Sequence, residues 1–296
     1  MRLKACAMKF ELHIPITSNE INALDSIAAN CDLSKEKIKK AVEKGALWLT
    51  KGKRTNRYRR IKKTLNPLDT LHFYYDERVL NQTCKDAILM ADKQAYSVWY
   101  KPYGMLSQGS KWSEHLTITR FVQQYFNSER SVFLVHRLDR AASGLIVVAH
   151  TKTMARAFSQ IFEHHKLKKH YQIIVHGDHR QHSQPEAITI PIDEKPSCSH
   201  FTLSEYSEAL NLSLLDVEIE TGRKHQIRKH AANIDLPVVG DRLYGNKSNN
   251  YPDELNLQLC AVELDFECPI NGEAVNIKLN EELRPSISSI STMLGQ

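Results

Sequence analysis

The chain has 296 residues and is 42% hydrophobic, 25% charged and 8% aromatic. That is ordinary globular composition with length for about two domains, and it excludes a collagen, a coiled-coil rod or a low-complexity chain. The net charge of +6 is unevenly placed: residues 1–80 carry 17 Lys and Arg against 9 Asp and Glu, whereas residues 81–296 carry 23 against 25.

The apolar runs, such as residues 144–149, fall far below the roughly 18 residues of a membrane span. The first residues have neither a long apolar stretch nor a cleavage site. A soluble, cytoplasmic protein with no membrane partner is expected. Cys6, Cys31, Cys84, Cys198, Cys260 and Cys268 contain no CxxC pair and read as free thiols. No ligand spacing supports a metal, Cys260 and Cys268 included, and none is expected.

In chain order, Ile21, Leu24, Ile27 and Ala28 recur at helical spacing, and Ser34 is a candidate N-cap for a second helix through Ile38, Ala41 and Val42 that ends near Gly45. Residues 46–50 and 70–75 read as short strands flanking a basic loop, with a turn at Asn66-Pro67. In that loop Lys51, Lys53, Arg54, Arg57, Arg59, Arg60, Lys62 and Lys63 crowd a stretch without any acid. Cations docked on phosphates release condensed counterions, so this segment is expected to give salt-dependent nucleic-acid binding. A solvated or lipid-facing charge run is the other reading. The boundaries follow as a basic module over residues 1–80, a polar linker over 81–94 and a larger domain over 95–296.

From Ala95 the pattern gives strands at 95–101, 131–135, 145–149, 171–175, 201–206, 210–219 and 257–266, with helices at 117–126, 224–233 and from a Thr151 cap through Met154, Phe158 and Phe162. Strands that follow strands without regular alternation predict an α+β fold with a mixed, mostly antiparallel sheet flanked by helices, beside a small N-terminal α/β module. The histidines His164, His165, His170, His176, His179 and His182 read as an exposed hairpin without a chemical role.

Four segments stand out: Lys101-Pro102-Tyr103-Gly104, the run His136-Arg137-Leu138-Asp139-Arg140 continuing to Ser143-Gly144-Leu145, Lys169-His170-Tyr171, and Thr221-Gly222-Arg223-Lys224-His225-Gln226-Ile227-Arg228. The second lies between two strands, where a rigid sheet can position catalytic groups. An aspartate flanked by guanidinium groups stays ionised at neutral pH. Such a carboxylate can attack carbon or stabilise an oxocarbenium-like sugar carbon. A glycosidase normally uses two carboxylates, and these segments hold only Asp139. A surface Arg–Asp ion pair is the plainer reading of Asp139 from this stretch alone.

Taken in this order, and followed by Pro237 to Gly240, Asp241, Tyr244-Gly245 and a closing strand from Leu257 to Pro269, the motifs resemble those of the RluA-type family of RNA pseudouridine synthases over about residues 95–270. The first 80 residues resemble the small RNA-binding module of ribosomal small-subunit protein type, with Ala23-Leu24-Asp25 where that module usually has Arg-Leu-Asp. The resemblance implies cofactor-free isomerisation of uridine within structured RNA; a monomer with no obligate protein partner is expected. Large-subunit ribosomal RNA is the first target expected and transfer RNA the second. It implies Asp139 as the essential carboxylate, Arg228 as its partner, and Tyr171 against the uracil, handling its C5 proton. Arg137 would fill the gap left by an extruded base. Lys101, Arg140, Arg223 and Lys224 would be further phosphate contacts, beside Lys53, Arg54, Arg57, Arg59 and Arg60 of the basic module. The chain departs from the family in having Ala142 where a threonine is usual. A noncatalytic RNA-binding or ribosome-assembly factor of the same fold is the competing reading. A zinc deaminase lacks support because no Pro-Cys-x-x-Cys segment is present.

Overall fold

A computed structural model describes residues 7–19, 21–183, 186–245, 252 and 255–294. The chain divides into two compact units, one running up to Cys84 and including Gln108–Phe121, the other made of Lys85–Ser107 and the residues from Val122 onward.

The first unit contains β1 (Lys9–Pro15), α1 (Ala23–Ala28), α2 (Lys35–Glu43), β2 (Leu47–Lys51), β3 (Arg54–Arg57), β4 (Thr70–Asp76) and the single turn α3 (Glu77–Leu80). Its four strands form an antiparallel sheet in the order β1-β4-β2-β3. Strand alternation turns Phe10, Leu12 and Ile14 of β1 toward a core of Leu24, Ile27, Ile38, Leu47, Leu71 and Phe73. Both helices start at side-chain caps: Asp25 N donates to Asn22 Oδ1 at 2.9 Å, and Lys37 N to the expected Ser34 Oγ at 3.3 Å. Because Asn22 caps α1, Ile21 stands outside the helix and is exposed.

Two expectations change here. The basic loop is partly strand, since Arg54–Arg57 pairs with β2 as a hairpin; four exposed or half-exposed polar residues show no alternation from which a strand could be read. Residues 108–121, expected within the larger domain, pack in this unit, with Trp112 edge-on to Tyr74 at 5.9 Å and Lys111 O accepting from Trp48 Nε1 at 2.9 Å.

The second unit begins with β5 (Ile88–Asp92), which lies inside the expected linker, and continues with β6 (Tyr96–Lys101), α4 (Ile118–Tyr125, which leads in from the 108–121 segment), the two-residue β7 (Phe133–Leu134), β8 (Ser143–Ala149) and α5 (Lys152–Glu163). There follow β9 (Lys168–His176), β10 (Glu186–Ile188), β11 (Ser199–Ser207), β12 (Leu212–Ile219), α6 (Gln226–Asn233), β13 (Leu259–Glu267), β14 (Ala274–Lys278) and α7 (Ile287–Leu294). One sheet runs β10-β11-β12-β9-β13-β8-β6-β5, with β14 beside β13 and β7 beside β8. Among the described residues the β13–β8 pair alone is parallel, so the sheet is mixed and mostly antiparallel, as the strand-after-strand pattern predicts. Thr151 caps α5 by accepting from Met154 N at 3.1 Å. Phe158 of that helix packs edge-on against Tyr96 and Phe266 at 5.1 and 5.5 Å, fastening α5 to the sheet.

The histidine-rich stretch is only partly an exposed hairpin. His179 is fully buried with Nε2 3.2 Å from Glu186, and His170 sits on β9 opposite Glu218, 3.5 Å from its carboxylate.

Candidate active site

Asp139 lies on the loop between β7 and β8, with its side chain 28% exposed. The loop is gripped from both sides. At the end of β6, Lys101 is completely buried and its Nζ donates to Pro102 O, Met105 O and Ala142 O at 3.1, 2.8 and 2.6 Å. An ammonium held by three carbonyls positions the loop, so Lys101 is not the phosphate contact expected from the sequence. Buried Ser107 both donates to Leu138 O at 2.7 Å and accepts from Leu138 N at 3.0 Å, and Gly104 N donates to Arg140 O at 2.9 Å. Ala142, in place of the usual threonine, is itself buried and contributes the carbonyl that Lys101 holds.

Beyond the loop, Gly144 has φ +115°, and a Cβ there would lie 2.3 Å from both the N and the O of Ala261. Glycine is required at this approach. Ala261 pairs with Gly144 on one side and Tyr171 on the other, so three adjacent strands bring the aspartate loop beside Tyr171. Tyr171 is buried, and burial followed by the charge of Asp139 pushes its phenol far above the ordinary range. It stays protonated at neutral pH. His136 is a brace: its Nε2 accepts from Val147 N at 2.9 Å, its ring packs on Phe162 at 4.7 Å, and burial, with Lys169 nearby, pushes it down to about 3.

The second half of the site is built by the turn before α6. Gln226 accepts from Thr221 Oγ1 and Arg223 N at 2.7 and 3.0 Å, and donates to Cys198 O and Ser199 Oγ at 2.8 and 2.9 Å. This ties the turn to β11. Arg228, on the first turn of α6, is 4% exposed and reaches Asp139 Oδ2 with Nη1 at 3.5 Å. Its tighter partner is Asp241, which takes Nε and Nη2 in a two-pronged bond at 2.7 Å each. The Asp241 side chain is 0% exposed and also accepts from Leu243 N and Tyr244 N. Burial alone would raise the Asp241 carboxyl, but Arg228 and the two amides hold it below the usual carboxylate range. Burial likewise opposes the Arg228 charge, and the two aspartates overcome it.

Asp241 and His225 both stand in the motif pattern, and the sequence alone assigns neither a role. His225 has φ +56° and places Nδ1 2.9 Å from Tyr244 OH and Nε2 3.8 Å from Asp139 Oδ1. Burial keeps its imidazole below its ordinary value against the pull of Asp139, hence neutral at pH 7. The Tyr244 ring covers Arg228, with Cζ 5.1 Å from its centroid.

The remaining expected contacts divide. Arg137, Arg140 and Lys224 are exposed, whereas half-buried Arg223 donates through Nε to Pro196 O at 3.0 Å. In the first unit Lys53, Arg54 and Arg60 are exposed. Arg57 stacks on the Trp48 ring at 4.4 Å, donates to Ser110 O at 2.9 Å and pairs with Glu114 at 2.8 Å, with 11% of its side chain exposed. Arg59 also pairs with Glu114. Arg57 is therefore a fastening of its own unit rather than an open phosphate contact.

The site thus offers one carboxylate open to a ligand, backed by a fixed guanidinium and flanked by a neutral phenol and a neutral imidazole. Both oxygens of Asp241 are taken by Arg228, so the two-carboxylate arrangement of a glycosidase is not what these residues form. Chemistry at a sugar carbon assisted by one carboxylate fits.

The fold is that of the pseudouridylate synthases: human RNA pseudouridylate synthase domain containing 1 superposes with a TM-score of 0.57 at 20% identity, covering 72% of this chain and 96% of that one. Residues 95–233 match the family described as RNA pseudouridylate synthase. The tRNA pseudouridine synthase C of Yersinia pestis is 30% identical over 207 residues, which cover 60% of this chain and 79% of that protein. The chain belongs to the RNA pseudouridylate synthase family. An uncharacterized RNA pseudouridine synthase of Aquifex aeolicus is 36% identical over 169 residues, covering 50% of this chain and 52% of that protein; the match spans about half the length of this relative.

Proposed function

We propose that the protein isomerises specific uridines of structured RNA to pseudouridine, without a cofactor, using Asp139. The observation that carries this is Arg228, pinned by Asp241 and aimed at Asp139 at 3.5 Å. It presents one oriented carboxylate to a flipped nucleotide. In the reaction the N1–C1′ bond breaks, the uracil turns, C5 bonds to C1′, and the C5 proton is lost while N1 gains one. Asp139 acts at the sugar, by attack on C1′ or by assisting elimination. Tyr171, a buried neutral phenol beside the aspartate, packs against the base; it passes its proton to N1 and the resulting phenolate takes the C5 proton in return, so the phenol is regenerated. A base in a helix cannot reach the loop, so the nucleotide is extruded, and exposed Arg137, two residues before Asp139, takes its place in the stack.

Arg140, Arg223 and Lys224 hold the phosphates beside that nucleotide, and the exposed Lys53, Arg54 and Arg60 hold another stretch of the same RNA, whereas Arg59 is engaged by Glu114. Relatives bearing the name tRNA pseudouridine synthase C favour transfer RNA as the target, ahead of the large-subunit ribosomal RNA expected first from the sequence.

The test is a chemical map of pseudouridines across total RNA from cells lacking the gene, complemented with wild type or Asp139→Asn. A uridine modified only with the wild-type copy supports the reading and names the RNA. With the purified protein on that RNA, the Asp139→Asn rate is expected to fall by on the order of 10³-fold or more, the scale seen when a catalytic side chain is lost, with binding retained. A full complement of pseudouridine in the Asp139→Asn strain overturns the mechanism. If no position changes, the noncatalytic RNA-binding reading replaces it.

A further inference from the structure

The sheet face opposite Tyr171 carries donors that the isomerisation does not use. Alternation along β9 turns His170 to that face, and the antiparallel register continues it, with His170 opposite Glu218 and Glu218 opposite His200. One step further along, Cys198 just before β11 meets Glu220 just after β12, joined by the Glu220 N to Cys198 O bond of 3.1 Å. Here Cys198 Sγ is 3.4 Å from His200 Nε2, and His200 Nε2 is 2.7 Å from Glu220 Oε1. All three donor atoms lie within 4.8 Å of one another.

We propose that Cys198, His200 and Glu220 form a binding site for one zinc-class divalent ion at the ends of β11 and β12. Thiolate, imidazole and carboxylate together are the donor set of that class. A tetrahedral ion with bonds of about 2.3 Å to sulfur and about 2.0 Å to nitrogen sets those two atoms about 3.5 Å apart, and the Cys198–His200 pair already matches. The His200–Glu220 contact opens by about half an ångström to admit the ion, since two nitrogen or oxygen ligands at about 2.0 Å sit about 3.3 Å apart. Glu220 is exposed and Cys198 and His200 half-buried, so an ion enters from solvent.

The backbone of the site is fixed by its neighbours. Cys198 N donates to Thr221 Oγ1 at 3.3 Å, and Cys198 O accepts from Gln226 Nε2 at 2.8 Å. The donors therefore stand on a paired strand end rather than on a loose loop. The fourth position is open to water, since Glu220 is exposed. The same two bonds give the site a consequence: an ion here clamps β11 to β12 and braces the turn that leads into Arg228.

The inference is independent of the RNA reading and is tested on the full chain by titration with Co²⁺. The expected result is one Co²⁺ per chain with the near-ultraviolet charge-transfer band of a cobalt–thiolate bond, displaced by one equivalent of Zn²⁺. Cys198→Ser is expected to abolish the band, and His200→Gln to weaken binding at least as much as losing an outer-shell partner, about tenfold or more. Cys31→Ser, on the other unit, should leave both unchanged. Circular dichroism of each variant establishes that it is folded, and His200→Gln carries the test should Cys198→Ser fail to fold. Failure of Co²⁺ and Zn²⁺ to bind, binding without the band, or a band that survives Cys198→Ser overturns the proposal.

Discussion

Arg228 serves two carboxylates with different jobs. Asp241 takes its two-pronged bond in a dry setting, and Asp139, 28% exposed, receives the nitrogen that remains. Breaking a buried pair by removing one charge costs about 3–5 kcal/mol, because the other charge stays buried. At the lower end of that range, Asp241→Asn is expected to lower the melting temperature by roughly 6–12 °C at neutral pH, taking 2–4 °C per kcal/mol for a unit of this size. It should also lower kcat, because Arg228 is then free to turn wholly onto Asp139. The pH dependence follows from the lowered Asp241 carboxyl. A carboxylate depressed in the folded state gives stability that is complete above its unfolded value of about 3.9 and lost as pH falls through the folded one. The gap in melting temperature between wild type and Asp241→Asn should therefore be full at pH 7 and close in strong acid. A gap that is constant with pH would show that the loss is one of packing rather than of charge. Asp139, Tyr171 and Arg228 were legible because each falls within a motif. Asp241 was not assigned, because 13 residues of chain separate it from Arg228 and only the fold shows that its carboxylate meets that guanidinium.

At the scale of elements, the site depends on the parallel pairing of β8 with β13, which sets Gly144 against Ala261 and, one strand further, Tyr171. Gly144→Ala adds a Cβ 2.3 Å from backbone atoms at φ +115°, combining conformational strain and overpacking at about 1–3 kcal/mol each. A loss of about 2–6 kcal/mol by denaturant unfolding is expected, together with a fall in activity as the aspartate loop shifts. Gly272 also has positive φ, +73°, but nothing lies within 4 Å of its added Cβ, so Gly272→Ala should cost only the backbone penalty of about 1–2 kcal/mol. Equal losses in the two variants would show that the approach to Ala261 relaxes. Strands such as β8, β9 and β12 were legible because they are apolar runs that the sheet buries. β3 and β5 were not: Arg54–Arg57 is polar throughout, and Ile88–Asp92 lies in polar surroundings and pairs only along one edge with β6. The β8–β13 pairing joins residues more than 100 positions apart and leaves no local signal.

For the whole molecule, the excess positive charge of residues 1–80 is not all available to a polyanion. Glu114 engages Arg57 and Arg59, and burial pushes both guanidinium groups down to about 10. Sequence position hid this, because Glu114 comes from a segment 55 residues beyond Arg59 that joins the first unit only in the fold. For the same reason, deleting residues 1–80 would strip the 108–121 segment of its partners Trp48, Arg57 and Tyr74. Substitution of single charges is the cleaner experiment. Lys53, Arg54 and Arg60 stand exposed, and each cation that leaves a phosphate lowers the slope of log affinity against log salt by about 0.7–0.9. The triple change of these three to Ala is expected to flatten that slope by about 2–3 for a target RNA, while leaving the melting temperature within a degree or two. Arg57→Ala should do the opposite, lowering the stability of the first unit with little change in slope, because its contacts are to Trp48, Ser110 and Glu114. A slope unchanged in the triple variant would show that the basic hairpin faces something other than RNA, and a slope flattened by Arg57→Ala alone would place that guanidinium on a phosphate after all.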